Sequence, residues 1–301
     1  MSKRALGVNI YPSYTVSKIR DYITLTKPRL LSSVLFTAGL GFVLPKDSVI
    51  TALPLLYLLS GTGLTGAGAH VLNQWMEQVP DSKMNRTKSR PLPMGRISEN
   101  EALVFGIIIS IAGITTLWLT LNLLTATLGL LTLFSYILVY TPLKTRTIAN
   151  TWFGGITGAL PPVMGWTAAR GQFDWEVLPI FALLYFWQLP HFFAIAWMYR
   201  DDYKKGGFRM LSLDDQTGRR TSVQMLYNTG FLFIASLTIY IIGQASLLYL
   251  TGAILLGLGF FAVITLFFRE SSVENARKVF LASIIYLPIL STILVLERFL
   301  Y

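Results

Sequence analysis

Residues 73–93 read NQWMEQVPDSKMNRTKSRPLP, and this stretch governs the reading of the whole chain. It runs off the end of a long apolar segment and gathers two carboxylates, Glu77 and Asp81, with four cations, Lys83, Arg86, Lys88 and Arg90. Asn73, Glu77 and Asp81 are spaced by four, so on a helix they project from one face, and His70 shares that face. Carboxylate oxygens can hold a hard divalent cation, and Lys and Arg can hold phosphate oxygens. Arg86 and Arg90, again four apart, are suited to a two-pronged grip on phosphate. Lys83 and Lys88 could equally be interfacial charge. Pro91 and Pro93 stop any helix and fix the exit of the segment. A polar residue such as Asn73 at the end of a membrane helix faces a bundle interior or a wet cavity as a rule. The combination points to a site for a lipid carrying a diphosphate head.

Composition supports the membrane setting. Of 301 residues, 53% are hydrophobic and only 13% charged, about half of what a soluble domain carries. Nine apolar segments are readable, at about 30–45, 49–72, 101–119, 121–140, 150–168, 176–199, 223–243, 247–268 and 279–297. Most approach the ~20 residues that span a hydrocarbon core. The first is short and takes Pro28 and Arg29 as its interfacial end. The expected fold is all-α: a nine-helix membrane bundle forming a single domain over 30–301, with inner loops at 77–100 and 200–222. There are no cysteines, so disulfides and thiolate metal sites are excluded.

The net charge of +10 would suit a nucleic-acid partner, but its distribution says otherwise. The N-terminus and the loops after the second, fourth, sixth and eighth segments carry 22 of the 25 Lys and Arg; the other side has only Lys46, Arg170 and Arg298. By the positive-inside rule the N-terminus is cytoplasmic and the C-terminus outside. The basic excess is topological, and no nucleic-acid partner is expected. The leader 1–29 has six cations and one acid, Asp21, and no apolar core of signal-peptide type. It reads as a cytoplasmic tail in preference to a mitochondrial transit segment, which favours a bacterial inner membrane over the mitochondrial one.

The sixth segment echoes the second. It runs through Trp187, Gln188 and His191 into Asp201 and Asp202, followed by Lys204, Lys205 and Arg209. Both segments are even-numbered, so both acidic ends reach the same face and could confront each other across a cavity. Asp201-Asp202 before Gly206-Gly207 has the look of a metal or phosphate loop. His191 lies at lipid depth, where ionisable groups are rare, and is as well explained by structure as by function. The aromatics of this segment, Tyr185 to Tyr199, form either an interfacial belt or a wall for a flat ring or isoprenoid chain. Glycines at 61, 63, 66 and 68, and at 154, 155, 158 and 165, let helices approach closely. Pro161 and Pro162 predict a kink or break in the fifth segment.

Two motifs carry a resemblance. NxxxExxxDxxMxRTxxRPLPxGxI, from Asn73 to Ile97, and WQxPHFxAxA followed by DDYxxGGxxML, from Trp187 to Leu211, resemble the UbiA superfamily of intramembrane prenyltransferases, and within it the haem-farnesylating branch. The likeness covers nearly the whole chain. Quinone-forming relatives would be expected to carry an Asp-x-x-x-Asp pair in the second loop, where this chain has adjacent Asp201-Asp202 with Pro190-His191 upstream. The resemblance implies farnesyl diphosphate as donor, haem b as acceptor and water addition at a haem vinyl group, in the lipid bilayer, with an association with haem A synthase. It implies Mg²⁺ on Glu77, Asp81, Asp201 and Asp202, with Asn73, Glu77, Asp81, Arg86 and Arg90 as the catalytic set. Arg86, Lys88, Arg90 and Lys204 would hold diphosphate; His191, Gln188, Trp187 and His70 would meet haem. Two other classes stay open: a prenyltransferase with another acceptor, such as 4-hydroxybenzoate or a chlorin, and a transporter or assembly factor, whose polar sites should lie at the bilayer midplane.

Overall fold

The computed structural model describes residues 14–300. The chain forms α1 (Tyr14–Leu25), α2 (Pro28–Val43), α3 (Ala52–Met76), α4 (Gln78–Lys83), α5 (Glu99–Thr120) and α6 (Leu123–Phe134). A π-helical turn, Ser135–Tyr140, leads into α7 (Thr141–Leu143). There follow α8 (Asn150–Arg170), α9 (Leu178–Met198), α10 (Arg200–Gly206), α11 (Leu211–Asp214), α12 (Arg219–Ile241), α13 (Leu247–Arg269) and α14 (Val273–Leu300). No strand occurs among the described residues.

Seven helices are long and apolar enough to cross a membrane, beginning with α3 and ending with α14. The other two of the nine expected segments are helical too, but α2 is short and α8, at 21 residues, is not apolar enough to join the seven. The expected break at Pro161-Pro162 does not occur: α8 runs unbroken from Asn150 to Arg170. The proline rings press on the carbonyls of Thr157 and Gly158, and their missing N–H groups leave those carbonyls without the usual partners. Tight packing against α2 contains the damage. A Cβ on Gly41 would lie 1.9 Å from the Pro162 carbonyl oxygen, and one on Gly165 would lie 2.0 Å from that of Ala38. The same logic joins α3 to α5, where a Cβ on Gly68 would fall 2.0 Å from Ser110 Oγ. Small residues therefore serve helix contact, as expected from the sequence.

The helix ends sort into two polar layers. At one end, short turns are tied by Arg298, which donates to the carbonyls of Pro45, Lys46 and Ser48. Glu297 there accepts from the backbone of Ser246 and Tyr249, capping α13. The opposite end holds the long loops, which are partly helical as α4, α10 and α11. Residues 1–13 of the expected leader lie outside the described residues. Residues 14–25 form α1, which docks on the bundle: Leu25 is buried, Tyr22 packs edge-on to Phe105, and Arg96 Nε donates to both Asp21 oxygens at 3.0 and 3.1 Å.

Candidate active site

The end of α3 builds the first wall. Glu77 departs from helical geometry, yet Glu77 N still donates to Asn73 O at 3.0 Å and Asp81 N to Glu77 O at 2.8 Å. The four-residue ladder therefore continues, and Asn73, Glu77 and Asp81 are all buried on one wall, Asn73 completely. Three buried polar groups need partners. Asn73 Nδ2 donates to Thr141 Oγ1 at 3.0 Å, and Asn73 Oδ1 accepts from Lys27 Nζ at 2.9 Å. Glu77 Oε1 is ion-paired with Lys144 Nζ at 2.8 Å, and Asp81 is ion-paired with Arg90.

Two of these cations come from places that charge counting along the chain treats only as topological. Lys144 comes just after the π turn, where Thr141 Oγ1 donates to Tyr136 O at 2.9 Å, and its ammonium lies 4.6 Å from the Tyr140 ring centroid. Such a turn inserts one residue per helical cycle and re-aims the side chains beyond it, a device common at functional sites. Lys27 sits between α1 and α2 with φ 51°, the one non-glycine residue in the left-handed region among those described. That conformation costs a Lys about 1–3 kcal/mol and persists where surrounding contacts enforce it. Burial works to discharge Lys144, but the Glu77 carboxylate outweighs it and holds the amine protonated well above its ordinary range. Lys27 goes the other way: burial, then the charges of Arg90 and Lys144, lower its pKa to about 7. The signals that could have found both residues were present, since Lys144 ends an apolar segment and Lys27 precedes Pro28.

The remaining expected phosphate residues sit further out. Arg86 is exposed, with its guanidinium carbon 5.3 Å from the Tyr199 ring centroid and 5.8 Å from that of Tyr203. Lys88 is exposed and donates to Asn85 Oδ1 at 3.2 Å. Lys204 is exposed, and its side chain makes no hydrogen bond or ion pair among the described residues.

The second acidic pair does not complete a metal cage. Asp201 is exposed, and Asp202 accepts from the backbone N–H groups of Asn85 and Arg86 at 3.2 and 3.0 Å. No group of three or more His, Asp or Glu able to hold a metal forms among the described residues. Glu77 and Asp81 alone still suit Mg²⁺, which takes oxygen ligands, keeps several waters and is commonly held by one or two carboxylates plus substrate phosphates.

The four expected haem residues separate into different settings. His191 Nδ1 is 2.8 Å from Ser283 Oγ, and its ring lies between Trp187 (centroids 5.3 Å apart) and Phe280 (4.9 Å). Trp187 Nε1 donates to Ser283 O at 2.8 Å. Both residues are half-buried. Gln188 is buried against α8 and donates to Leu184 O at 2.9 Å. His70 is buried, with Nδ1 2.8 Å from Thr26 O, where it holds the α1–α2 corner to α3.

A buried carboxylate pair thus meets converging cations, Lys27, Lys144 and Arg90, at one end of the bundle. The model of the UbiA prenyltransferase family matches residues 34–285. The chain belongs to the UbiA prenyltransferase family. Among its relatives, a protoheme IX farnesyltransferase of Solibacter usitatus is 44% identical over 93% of this chain and 99% of its own length. The solved structure of a digeranylgeranylglyceryl phosphate synthase superposes with a TM-score of 0.79 at 19% identity, covering 95% of this chain and 100% of that one. A UbiA homolog from Archaeoglobus fulgidus bound to GPP and Mg²⁺ gives a TM-score of 0.67 at 14% identity, over 93% of this chain and 98% of that one. At those identities the two structures establish the UbiA fold.

Proposed function

We propose that this UbiA-family protein transfers the farnesyl group of farnesyl diphosphate to a vinyl group of haem b, with addition of water, releasing haem O and diphosphate. The observation that carries the donor half is the convergence of Lys27, Lys144 and Arg90 on Asn73, Glu77 and Asp81. Two carboxylates against three cations, one of them Lys27 with its lowered pKa, leave at most one positive charge, too little for a trianionic diphosphate ester. A divalent ion on Glu77 and Asp81 closes that gap. When bound, Mg²⁺ would supply Lewis-acid neutralisation of the leaving group. Lys144 and Arg90, at present paired with those carboxylates, then become available to the diphosphate oxygens. Asn73 fixes the Lys27 amine, and Arg86 reaches the outer edge of the headgroup. Preorganised charge of this kind stabilises the negative charge that develops as the allylic C–O bond breaks.

For the acceptor, support comes from the relatives' name and from Trp187, His191 and Phe280, whose rings offer a flat, half-buried surface. With Nδ1 engaged by Ser283, Nε2 of His191 is the atom available to iron or a propionate. His70 and Gln188 serve packing instead. Aromatic walls keep bulk water from the allylic cation until it has added to the vinyl group. The distribution of cations supports a cytoplasmic N-terminus, and the leader's composition favours a bacterial inner membrane over the mitochondrial one. An association with haem A synthase belongs to the same reading, since the farnesylated haem stays in the bilayer. The test is purified protein with farnesyl diphosphate, Mg²⁺ and either haem b or 4-hydroxybenzoate, read by mass spectrometry. Hydroxyethylfarnesyl haem is expected; a prenylated hydroxybenzoate with unmodified haem would overturn the acceptor assignment.

A further inference from the structure

The two inner loops meet through contacts that a metal-binding role for the second acidic pair does not use. Both carboxylate oxygens of Asp202 accept from consecutive backbone N–H groups, those of Asn85 and Arg86. Tyr199, just before α10, and Tyr203, on it, flank Asp202, and the Arg86 guanidinium lies over both rings, with Nη2 3.5 Å from Tyr203 Oη. Beneath them Met84 is buried with Phe208, Met210 and Ala196, in an apolar seat that draws on both loops. The fit is tight: a Cβ on Gly206 would come within 3.1 Å of Met84 Sδ.

The turn so held continues directly into the first wall. The residue after Arg86 is Thr87, which is buried and donates from Oγ1 to Asp81 O at 2.8 Å. Three residues on, Arg90 pairs with the Asp81 side chain. One turn, residues 84–90, is thus pinned to Asp202 on one side and to Asp81 on the other. A shift of the first anchor moves the cations that meet the diphosphate.

We propose that Asp202 is a positioning residue: it clasps the turn that carries Arg86 and Arg90 onto α10, and acts on the diphosphate site through that turn instead of ligating metal. The proposal rests on the prenyl diphosphate reading for its kinetic consequence, but not for its structural one. Asp202→Asn keeps the shape of the side chain and one carbonyl oxygen, and loses the charge and the second strong acceptor. Losing a hydrogen bond to a charged group corresponds to roughly tenfold in an equilibrium constant. The KM for farnesyl diphosphate should rise by about that factor, with the Mg²⁺ concentration for half-maximal activity unchanged within twofold.

The independent readout is trypsin cleavage after Lys83, Arg86 and Lys88 in purified protein held in EDTA without substrate. Wild type should resist, and Asp202→Asn should be cut roughly tenfold faster. A tenfold rise in the Mg²⁺ requirement with unchanged cleavage would overturn the clasp and make Asp202 a ligand. So would wild-type protection that appears only when Mg²⁺ is added. Should Asp202→Asn fail to accumulate, Arg86→Lys keeps the charge but removes the planar group from Tyr199 and Tyr203. It should open the same turn, and cleavage at the wild-type rate would count against the proposal. If wild type makes no farnesylated product at all, the functional reading fails while the cleavage comparison still decides the clasp.

Discussion

The two acidic clusters at the loop end of the bundle look alike in sequence and are built oppositely. In the first, Glu77 and Asp81 are buried, and each faces a cation from elsewhere in the chain, Lys144 or Arg90. In the second, Asp201 is exposed, Asp202 is spent on the backbone of the first loop, and Asp215 caps α12. The difference teaches that acidic residues beside a membrane helix are not interchangeable evidence for metal. Buried carboxylates held by side-chain cations can exchange those partners for a ligand without moving the backbone. A carboxylate that accepts from the backbone of a neighbouring loop, as Asp202 does at 3.2 and 3.0 Å, ties that loop in place.

The largest test of this contrast falls on the first cluster. Glu77→Gln or Asp81→Asn should lower turnover of farnesyl diphosphate by about 10²–10³, as for loss of a strong charge contact at a developing leaving group. Protein level in the membrane should be retained, because size is conserved. Retention of more than half the activity in both variants would remove the first cluster from the chemistry and erase the contrast.

A smaller effect, and one that sharpens the contrast, lies in the pH profile. Lys27, held at about 7, loses its positive charge as pH rises through neutrality. Its contact with diphosphate should weaken in that direction, raising KM by roughly tenfold between protonated and neutral forms. Lys27→Arg should flatten the dependence, since guanidinium stays charged; an unchanged profile in that variant would assign the pH response to another group. For folding the sign is set by proton counts. Between about 7 and 10.5 the unfolded chain binds more protons at this residue than the native state does. Its contribution to stability therefore improves as pH rises across that window.

The smallest effect belongs to the second cluster. Asp215 is buried and accepts from the backbone of Gly218 and Thr221 and from both threonine hydroxyls, Thr217 and Thr221. Asp215→Ala should cost about 0.5–2 kcal/mol of stability, the range for a lost helix cap, visible in thermal unfolding in detergent. KM and the Mg²⁺ requirement should stay within twofold of wild type. A loss of turnover as large as that of Asp81→Asn would show that the second loop takes a direct part in the chemistry.

Much of the fold was legible along the chain because lipid forces the backbone to satisfy itself locally, so long apolar runs must be helices. The one wall formed by Asn73, Glu77 and Asp81 was legible for the same reason: helical spacing is a local property. Even the shared face of the two loops followed from counting helices and cations. What required the tertiary structure was every partnership across the bundle. Lys27 and Lys144 are 117 residues apart in the chain, and their places at the ends of apolar segments do not say which amide or carboxylate either one meets. That Asp202 also meets the backbone of Asn85 and Arg86 is visible only once the two loops are brought together. His70 and His191 part company only when one is seen to hold the Thr26 carbonyl and the other to lie between aromatic rings. A sequence specifies which groups carry charge and how they repeat along a helix. Which charge neutralises which depends on helix packing, because Coulomb energy and hydrogen bonding act through space, over a few ångströms, without regard to separation along the chain.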